Sequence, residues 1–487
     1  MNTKKGLGLL GLTAIAFSSM VGGGIFNIAQ NMASTAGLGA VIVAWLITGI
    51  GMVFLVLTFK ILADHCPSLN QGVYEYARTG FGNYIGFNIA WGYWLCVALG
   101  NVAFAVMLND ALGAFFPVFL QHDWPTLIFC IGLVWIMFAI VSRGEMTASA
   151  INNIMTILKF GAIVIIIAIL VIYFRMEMFS INFMGETGEG KADPLGDFGS
   201  QIMGTMLITM FCFVGVEGAV MLSSHARNSK DVGRASVLGF YLALAIYALI
   251  SILCYGVRQQ EELASMHDPS VAYVLKSICG SWAYYFVIIT VIVSLLSGFL
   301  AWTLLCAQTP FGAASVGIFP KIFMKTNKYD IPITGLLIST IFMSLFIGLV
   351  CTAPDVYMAA LNLTTIMVLP SYAFSGAFLW KISYNNSVYI RDVSIKKIRV
   401  YRIIGILCTL YCIWCIMAGG SLIFLASSIL YVLGFYFYYK AFKEKNKNNW
   451  RFRDLLTKPE AFLLILLVCC AVLSIVLIAD GKISLSN

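Results

Sequence analysis

The chain has 487 residues, of which 60% are hydrophobic and only 11% charged, with a formal net charge of +8. The apolar residues fall in blocks of about 20, the length that spans hydrocarbon. That excludes a soluble globular class and defines an all-α polytopic membrane protein. With the N-terminus inside, all Lys and Arg fall on the inner side except Arg175, Lys191, Arg258, Lys276 and Lys482. The basic excess is therefore the positive-inside bias of an inner-membrane or plasma-membrane protein, and no nucleic-acid partner is expected. The run Lys440 to Lys458 reads as an orientation signal beside anionic lipid.

Thirteen spans are predicted, near residues 8–32, 38–59, 84–109, 126–142, 151–174, 199–222, 236–257, 283–308, 333–352, 357–380, 402–418, 421–439 and 461–479. The first holds Ser18-Ser19-Met20-Val21-Gly22-Gly23-Gly24-Ile25-Phe26. Three glycines in one turn cost roughly 1 kcal/mol each against alanine, so they mark either a helix break or close helix packing through small residues. A break inside a bilayer is tolerated only where protein or a cavity covers it. Its freed amides, with a helix dipole behind them, suit an anion such as a carboxylate. Lys4-Lys5 and the apolar run to Ala16 imitate a cleavable signal, but a retained first helix is expected, because cleavage would remove half of this segment. Cys96, Cys130, Cys212, Cys306, Cys412, Cys469 and Cys470 lie inside apolar blocks and read as free, small core residues.

Between the second and third spans stand Pro67, Gly72, Tyr74, Tyr76, Arg78, Phe81, Gly82, Gly86, Phe87 and Trp91. A solvated loop with belt aromatics covers Tyr74, Tyr76 and Phe81 but not the whole string. The string resembles the signature after the second helix in the amino acid, polyamine and organocation superfamily of transporters. Within it the chain is similar to the basic amino acid exchangers, most of all arginine/ornithine antiporters. The resemblance runs nearly the full length and is densest from Gly8 to about Pro332.

Further along, the third span carries Gly92-Tyr93-Trp94 and Gly100-Asn101. A buried asparagine needs partners in hydrocarbon, so Asn101 faces a neighbouring helix or a cavity; in similar exchangers this position contacts substrate. Asn152, Asn153 and Thr156 read as interhelical hydrogen-bonding groups. The acidic outer loop, with Glu177, Glu186, Glu189, Asp193 and Asp197, reads as a solvated face that also attracts cations weakly. The sixth span contains Phe211-Cys212-Phe213-Val214-Gly215-Val216-Glu217-Gly218. A charge at a helix centre costs roughly 2.5–3.5 kcal/mol on insertion scales, which makes Glu217 a functional candidate. The plainer alternative is a protonated, hydrogen-bonded strut. Trp302, deep in the eighth span, either packs or stacks on a cationic substrate. Thr364, Thr365 and Tyr372 on the tenth are further candidates for lining a cavity.

Interrupted spans at matching places predict a transporter with a midplane site. The expected core is residues 1–380, built of repeat one (8–174) and repeat two (199–380). Because five crossings reverse the chain, the repeats are inverted, and residues 381–487 supply C-terminal helices outside them. The resemblance implies the same leucine-transporter-type fold, with 12 to 13 transmembrane helices, no enzymatic activity and no cofactor; it leaves room for a homodimer. The four histidines, His65, His122, His225 and His267, fall in predicted loops, and no metalloprotease-type pair exists.

The implied substrates are small amino acids. Met20 and the amides of Gly22, Gly23 and Gly24 would hold the α-carboxylate, and carbonyls at Val214 and Gly215 the α-ammonium. Phe211 and Trp302 would face the cationic side chain with Asn101 as a polar contact, while Glu217 and Tyr93 serve coupling and gating. Phe211 stands where arginine/agmatine exchangers carry tryptophan, and Gly23 where they carry serine. Arginine-for-ornithine exchange is therefore the expectation; the alternatives are arginine/agmatine or histidine/histamine exchange, a proton-coupled lysine or arginine permease, or a channel.

Overall fold

The computed structural model describes residues 7–121, 123–185, 195–352, 355–384, 388–390, 393–418, 421–446 and 454–479. The first half runs through α1 (Leu9–Met20), α2 (Gly24–Ala33), α3 (Leu38–His65), α4 (Val73–Phe81), α5 (Asn83–Gly113), α6 (Trp124–Ser142), α7 (Glu145–Ile172) and the short α8 (Met176–Ser180). A second series follows as α9 (Phe198–Phe211), α10 (Gly218–Met221), α11 (Ser229–Tyr255), α12 (Gln260–Ala264), α13 (Ser270–Cys279), α14 (Ser281–Ser315), α15 (Ile333–Thr352) and α16 (Asp355–Tyr384). The chain closes with α17 (Ile395–Ala418), α18 (Ser421–Asn446) and α19 (Lys458–Ala479).

Among the described residues, ten helices are long and apolar enough to cross a membrane, and α1 with α2 forms an eleventh span bent by 40°. The predicted segments 199–222 and 333–352 appear as the interrupted pair α9/α10 and as α15. Each predicted segment thus coincides with a helix or a broken helix. The two series also share an order of elements. Each opens with a broken span and a long helix, α3 or α11. Each then places a short helix, α4 or α13, against a long one, α5 or α14. The joint is a glycine with positive φ in both, +119° at Gly82 and +84° at Gly280. Such φ values are those that only glycine adopts without strain.

The start of the first broken span and the end of the second are tied together. The Arg227 amide donates to the Leu7 carbonyl at 2.8 Å, so the residue just before α1 pairs with the strand-like turn after α10. The second half of the first span, α2, is fastened to the α12–α13 region: the Gln30 amide donates to Ser270 Oγ at 3.1 Å, and that hydroxyl donates to the Phe26 carbonyl at 3.2 Å. The first broken span is therefore gripped at both ends and interrupted in the middle.

Several expectations are corrected here. Tyr74 and Tyr76 are not belt residues: they sit on helix α4, fully buried, and Tyr76 stacks on Phe378 at 5.8 Å. Neither α4 nor α12 and α13 was predicted as a helix. His65 is the last residue of α3, bonded to the Tyr401 hydroxyl at 3.2 Å, and is not in a loop. Cys469 is exposed on α19 rather than packed in a core. Of the acidic outer loop, Glu186, Glu189 and Asp193 lie outside the described residues, as does the structure of His122; Asp197 caps α9, accepting from the Gly199 amide.

Candidate functional site

The first break comprises Val21, Gly22 and Gly23, between α1 and α2. A helix interrupted here leaves carbonyl oxygens without their intrahelical amides, and in a buried setting they need other donors; the Gly22 amide reaches one of them, that of Met20, at 3.1 Å. Side chains from three other helices supply them. Trp302 Nε1 on α14 donates to the Ser19 carbonyl at 3.1 Å, and the Tyr247 hydroxyl on α11 to Met20 at 3.0 Å. Ser294 Oγ lies 3.1 Å from the Val21 carbonyl and 2.9 Å from that of Gly22.

The fourth donor is Lys159 on α7. Its ammonium is buried and donates to the Val21 carbonyl at 2.7 Å, to Ser18 Oγ at 3.1 Å and to the Ser18 carbonyl at 3.4 Å. All three acceptors are uncharged. Beside it, Asn152 Oδ1 accepts from the hydroxyls of Ser18 and Ser297, which also contact each other. Charge counting had assigned Lys159 to the inner face; the structure places it in the protein core against the break.

The glycines themselves are required by what leans on them. A Cβ on Gly22 would lie 2.8 Å from the Phe104 ring, and one on Gly23 2.5 Å from the Met107 methyl and 2.6 Å from Leu295. Break and close packing, the two readings of the triplet, are both realised.

The second break, Cys212 to Glu217 between α9 and α10, is built differently. It folds into successive tight turns: Val214 N–H to Phe211 O at 3.2 Å, Val216 N–H to Phe213 O at 3.1 Å and Gly218 N–H to Gly215 O at 2.9 Å. Gly215 adopts φ +105°, and a Cβ there would sit 2.7 Å from the Ser19 backbone, so the two breaks touch main chain to main chain. Glu217, fully buried, receives the Gly215 amide at 3.2 Å and the Tyr372 hydroxyl on the same oxygen, Oε2. Its Oε1 has no hydrogen-bond partner among the described residues, nor does the neighbouring Tyr93 hydroxyl, which lies close enough to interact electrostatically.

Between the breaks is a cavity lined by Ser19, Met20, Gly22, Gly23, Gly24, Phe104, Phe211, Val214, Tyr247 and Trp302. Its volume is about 10 Å³, room for roughly one water molecule. The walls are aromatic on three sides, with Phe104 and Trp302 edge to face at 5.2 Å. No carboxylate lines it. The structure thus holds the site contracted, and the aromatic walls must part before anything of amino-acid size can enter.

Seven of the predicted substrate residues line this cavity: Met20, Gly22, Gly23, Gly24, Phe211, Val214 and Trp302. Gly215, Glu217, Tyr93 and Tyr372 lie in an adjoining layer instead. Asn101 is also set back from it. Its Nδ2 faces Thr303 Oγ1 at 3.4 Å and Cys306 Sγ at 3.6 Å on α14, while Oδ1 has no partner among the described residues. Thr364 and Thr365 are buried on α16 but do not border the cavity. Phe104, Tyr247, Lys159 and Ser294 were not predicted. An isolated lysine in the middle of the fifth apolar segment was the one visible signal among them.

Comparison with known proteins agrees with this architecture. A family profile described as amino acid permease matches residues 7–442. The chain is 40% identical over 485 residues to an arginine/agmatine antiporter of Chlamydia pneumoniae, covering 99% of each chain. It is 40% identical over 483 residues to an arginine/agmatine antiporter of Chlamydia abortus, covering 99% of this chain and 98% of that one. Among solved structures, a manganese transporter of Eremococcus coleocola superposes with a TM-score of 0.55 at 13% identity, covering 96% of this chain and 94% of that one, a likeness of fold. The scaffold is the leucine-transporter type, with two interrupted helices in contact beside their breaks. This chain belongs to the amino acid permease family of membrane transporters.

Proposed function

We propose that the protein is an antiporter that exchanges arginine for ornithine by alternating access, with its N-terminus on the cytoplasmic side of the cell membrane. The observation that carries this reading is the aromatic cavity between two interrupted helices, one of them presenting the first turn of α2 at Gly24. The α2 amides are the positive end of a helix dipole and suit an α-carboxylate. The turn at Val214, which borders the cavity, offers its carbonyl for the α-ammonium, with Gly215 set behind it. A guanidinium or alkylammonium is then left against Trp302, Phe211 and Phe104, where cation–π attraction is worth about 2 kcal/mol per desolvated ring. Such a wall favours a cation over a neutral side chain without an acid in the pocket.

Opening and closing follow from the contracted walls. Glu217 and Tyr372 connect the second break to α16, so rearrangement of α9/α10 on substrate binding is transmitted to the last helix of the same series. The division into inverted repeats 8–174 and 199–380 is supported by the matched order of elements. Nothing in this reading calls for catalysis: the polar groups at the breaks are engaged in holding main chain, and the substrate leaves unaltered.

Agmatine is the second candidate counter-substrate, favoured by the names of the chlamydial relatives. It lacks the carboxylate that the Gly22–Gly24 cradle suits, which places ornithine first. Vesicles containing the purified protein and preloaded with ornithine, agmatine or buffer decide the matter. Labelled arginine should accumulate fastest against ornithine and hardly at all against buffer. Equal uptake into buffer-loaded vesicles would refute exchange, and uptake driven by agmatine alone would transfer the assignment to the second candidate.

A further inference from the structure

The inner end of α17 carries Lys396, Lys397, Arg399 and Arg402 within two helical turns. At about 100° per residue, Lys396, Arg399 and Arg402 fall within roughly a third of the helix circumference. The exposed apolar residues that follow along α17, Ile403, Leu407 and Leu410, continue the same side of the helix. Ile403 is 55% and Leu410 57% exposed, so this is a face turned away from the protein. Lys396, Lys397 and Arg399 are exposed and form no ion pair among the described residues. One acid, Asp64 at the end of α3, lies near Tyr401 on the neighbouring side.

Two aromatic residues mark the depth. Trp380 and Tyr384, at the inner end of α16, are exposed, as interfacial aromatics are. The Arg402 guanidinium lies 5.0 Å over the Tyr384 ring and donates to the Ser383 carbonyl at 3.0 Å, while its Nε is buried without a partner among the described residues. An apolar track running up to a group of uncompensated cations, at the level of interfacial aromatics, has the layout of one amphiphile: two acyl chains ending in a phosphate.

We infer that the inner end of α17, with the α16 terminus beside it, is a binding site for an anionic phospholipid, whose headgroup phosphate lies against Lys396, Arg399 and the free Nε of Arg402 and whose chains follow Ile403, Leu407 and Leu410. The site fastens α17 to α16, the helix that carries Tyr372 against Glu217. Lipid occupancy therefore sets how readily α16 moves. That last consequence rests on the proposed exchange activity; the lipid site itself does not.

The test is lipid retention, read without transport. Purified protein is exchanged into nanodiscs of phosphatidylcholine with 20 mol% dioleoylphosphatidylglycerol, extracted into mild detergent, washed, and examined by native mass spectrometry. Wild type should retain phosphatidylglycerol over phosphatidylcholine. The triple variant Lys396→Gln, Lys397→Gln, Arg399→Gln should lose at least five-fold of that preference, whereas Lys440→Gln with Lys443→Gln, elsewhere on the inner face, should keep it. Soluble glycerol 3-phosphate should not displace the lipid. Retention unchanged in the triple variant, equal loss in the Lys440/Lys443 control, or displacement by glycerol 3-phosphate overturns the proposal. Should the triple variant not purify as a monodisperse species, Arg399→Gln alone, at an exposed position, is read in the same way. Arginine exchange, run in parallel, should slow several-fold in pure phosphatidylcholine. A lipid preference with no exchange in any lipid would count against the transport reading and leave the lipid site standing.

Discussion

The two breaks solve one problem in opposite ways. In the first, the carbonyls of Ser19, Met20, Val21 and Gly22 receive Trp302, Tyr247, Ser294 and Lys159 from other helices, and only Met20 also takes an amide of the break itself, that of Gly22. In the second, the chain from Phe211 to Gly218 satisfies itself through tight turns, and only Glu217 reaches outward, to Tyr372. The first break is thus pinned by its surroundings and the second is a self-contained hinge with one tether. In the proposed exchange cycle, the pinned break would shape the substrate cradle and the self-contained one would move.

That contrast ranks the substitutions that would break it. The largest effect is expected at Lys159. Lys159→Ala strips donors from two buried carbonyls, and each unsatisfied group costs about 1–3 kcal/mol, enough for a ten-fold or greater loss of exchange. A fluorescence-based thermal shift beside vesicle uptake separates unfolding from inactivity. Full activity in this variant would mean that the first break is not held as described.

Next is Gly215→Ala. A left-handed backbone costs an alanine roughly 1–2 kcal/mol, and here the added methyl also meets the Ser19 main chain. Exchange should fall by at least ten-fold while the protein still reaches the membrane, measured by surface labelling and uptake together. Gly132→Ala, where a Cβ meets nothing within 4 Å, is the matched control and should behave as wild type.

Tyr372→Phe removes the tether while leaving the ring that packs edge to face on Phe59. Arginine affinity by isothermal titration should stay within about three-fold, whereas the exchange rate should drop by about ten-fold, a loss near 1.4 kcal/mol. A large loss of affinity with an unchanged rate would place Tyr372 in the cradle instead.

A smaller effect is expected outside the membrane, at Asp268 in the turn before α13. Burial, and then the Asp110 carboxylate, push its pKa up to about 6, with His267 opposing. A carboxylate whose folded pKa is raised is disfavoured in its charged form, so its penalty is absent below about pH 4, grows between about 4 and 6 and is complete above about 6. Asp268→Asn should therefore raise the melting temperature at pH 7.5 and leave it unchanged at pH 4. A shift of equal size at both values would show that charge is not the cause.

The contrast also explains what the sequence could and could not reveal. Gly22-Gly23-Gly24 and Gly215-Val216-Glu217 are local patterns: a costly glycine cluster and a buried acid declare themselves wherever the chain later goes. Tyr247 and Ser294 declare nothing alone, because their role is to meet a carbonyl more than a hundred residues away, and Lys159 declares only that a lone lysine stands in an apolar segment. Lys159 was even assigned to the wrong environment, since counting charges by loop places any lysine near a helix start on the nearest face. Asn101 was read as facing either a helix or a cavity, and only its contacts with Thr303 and Cys306 distinguish the two. Helix α13 escaped because ten amphipathic residues give no span-length apolar run; the clue was Gly280, matched to Gly82 in the first series.

The central claim is that one zwitterion sits between the two breaks. Electron cryomicroscopy of the protein with saturating arginine tests this most directly. The account predicts ligand density with its carboxylate at the Gly22–Gly24 amides and its side chain against Trp302, the cavity having expanded around it. Density elsewhere in the molecule, or helices traced without interruption through Gly23 and Gly215, would contradict it.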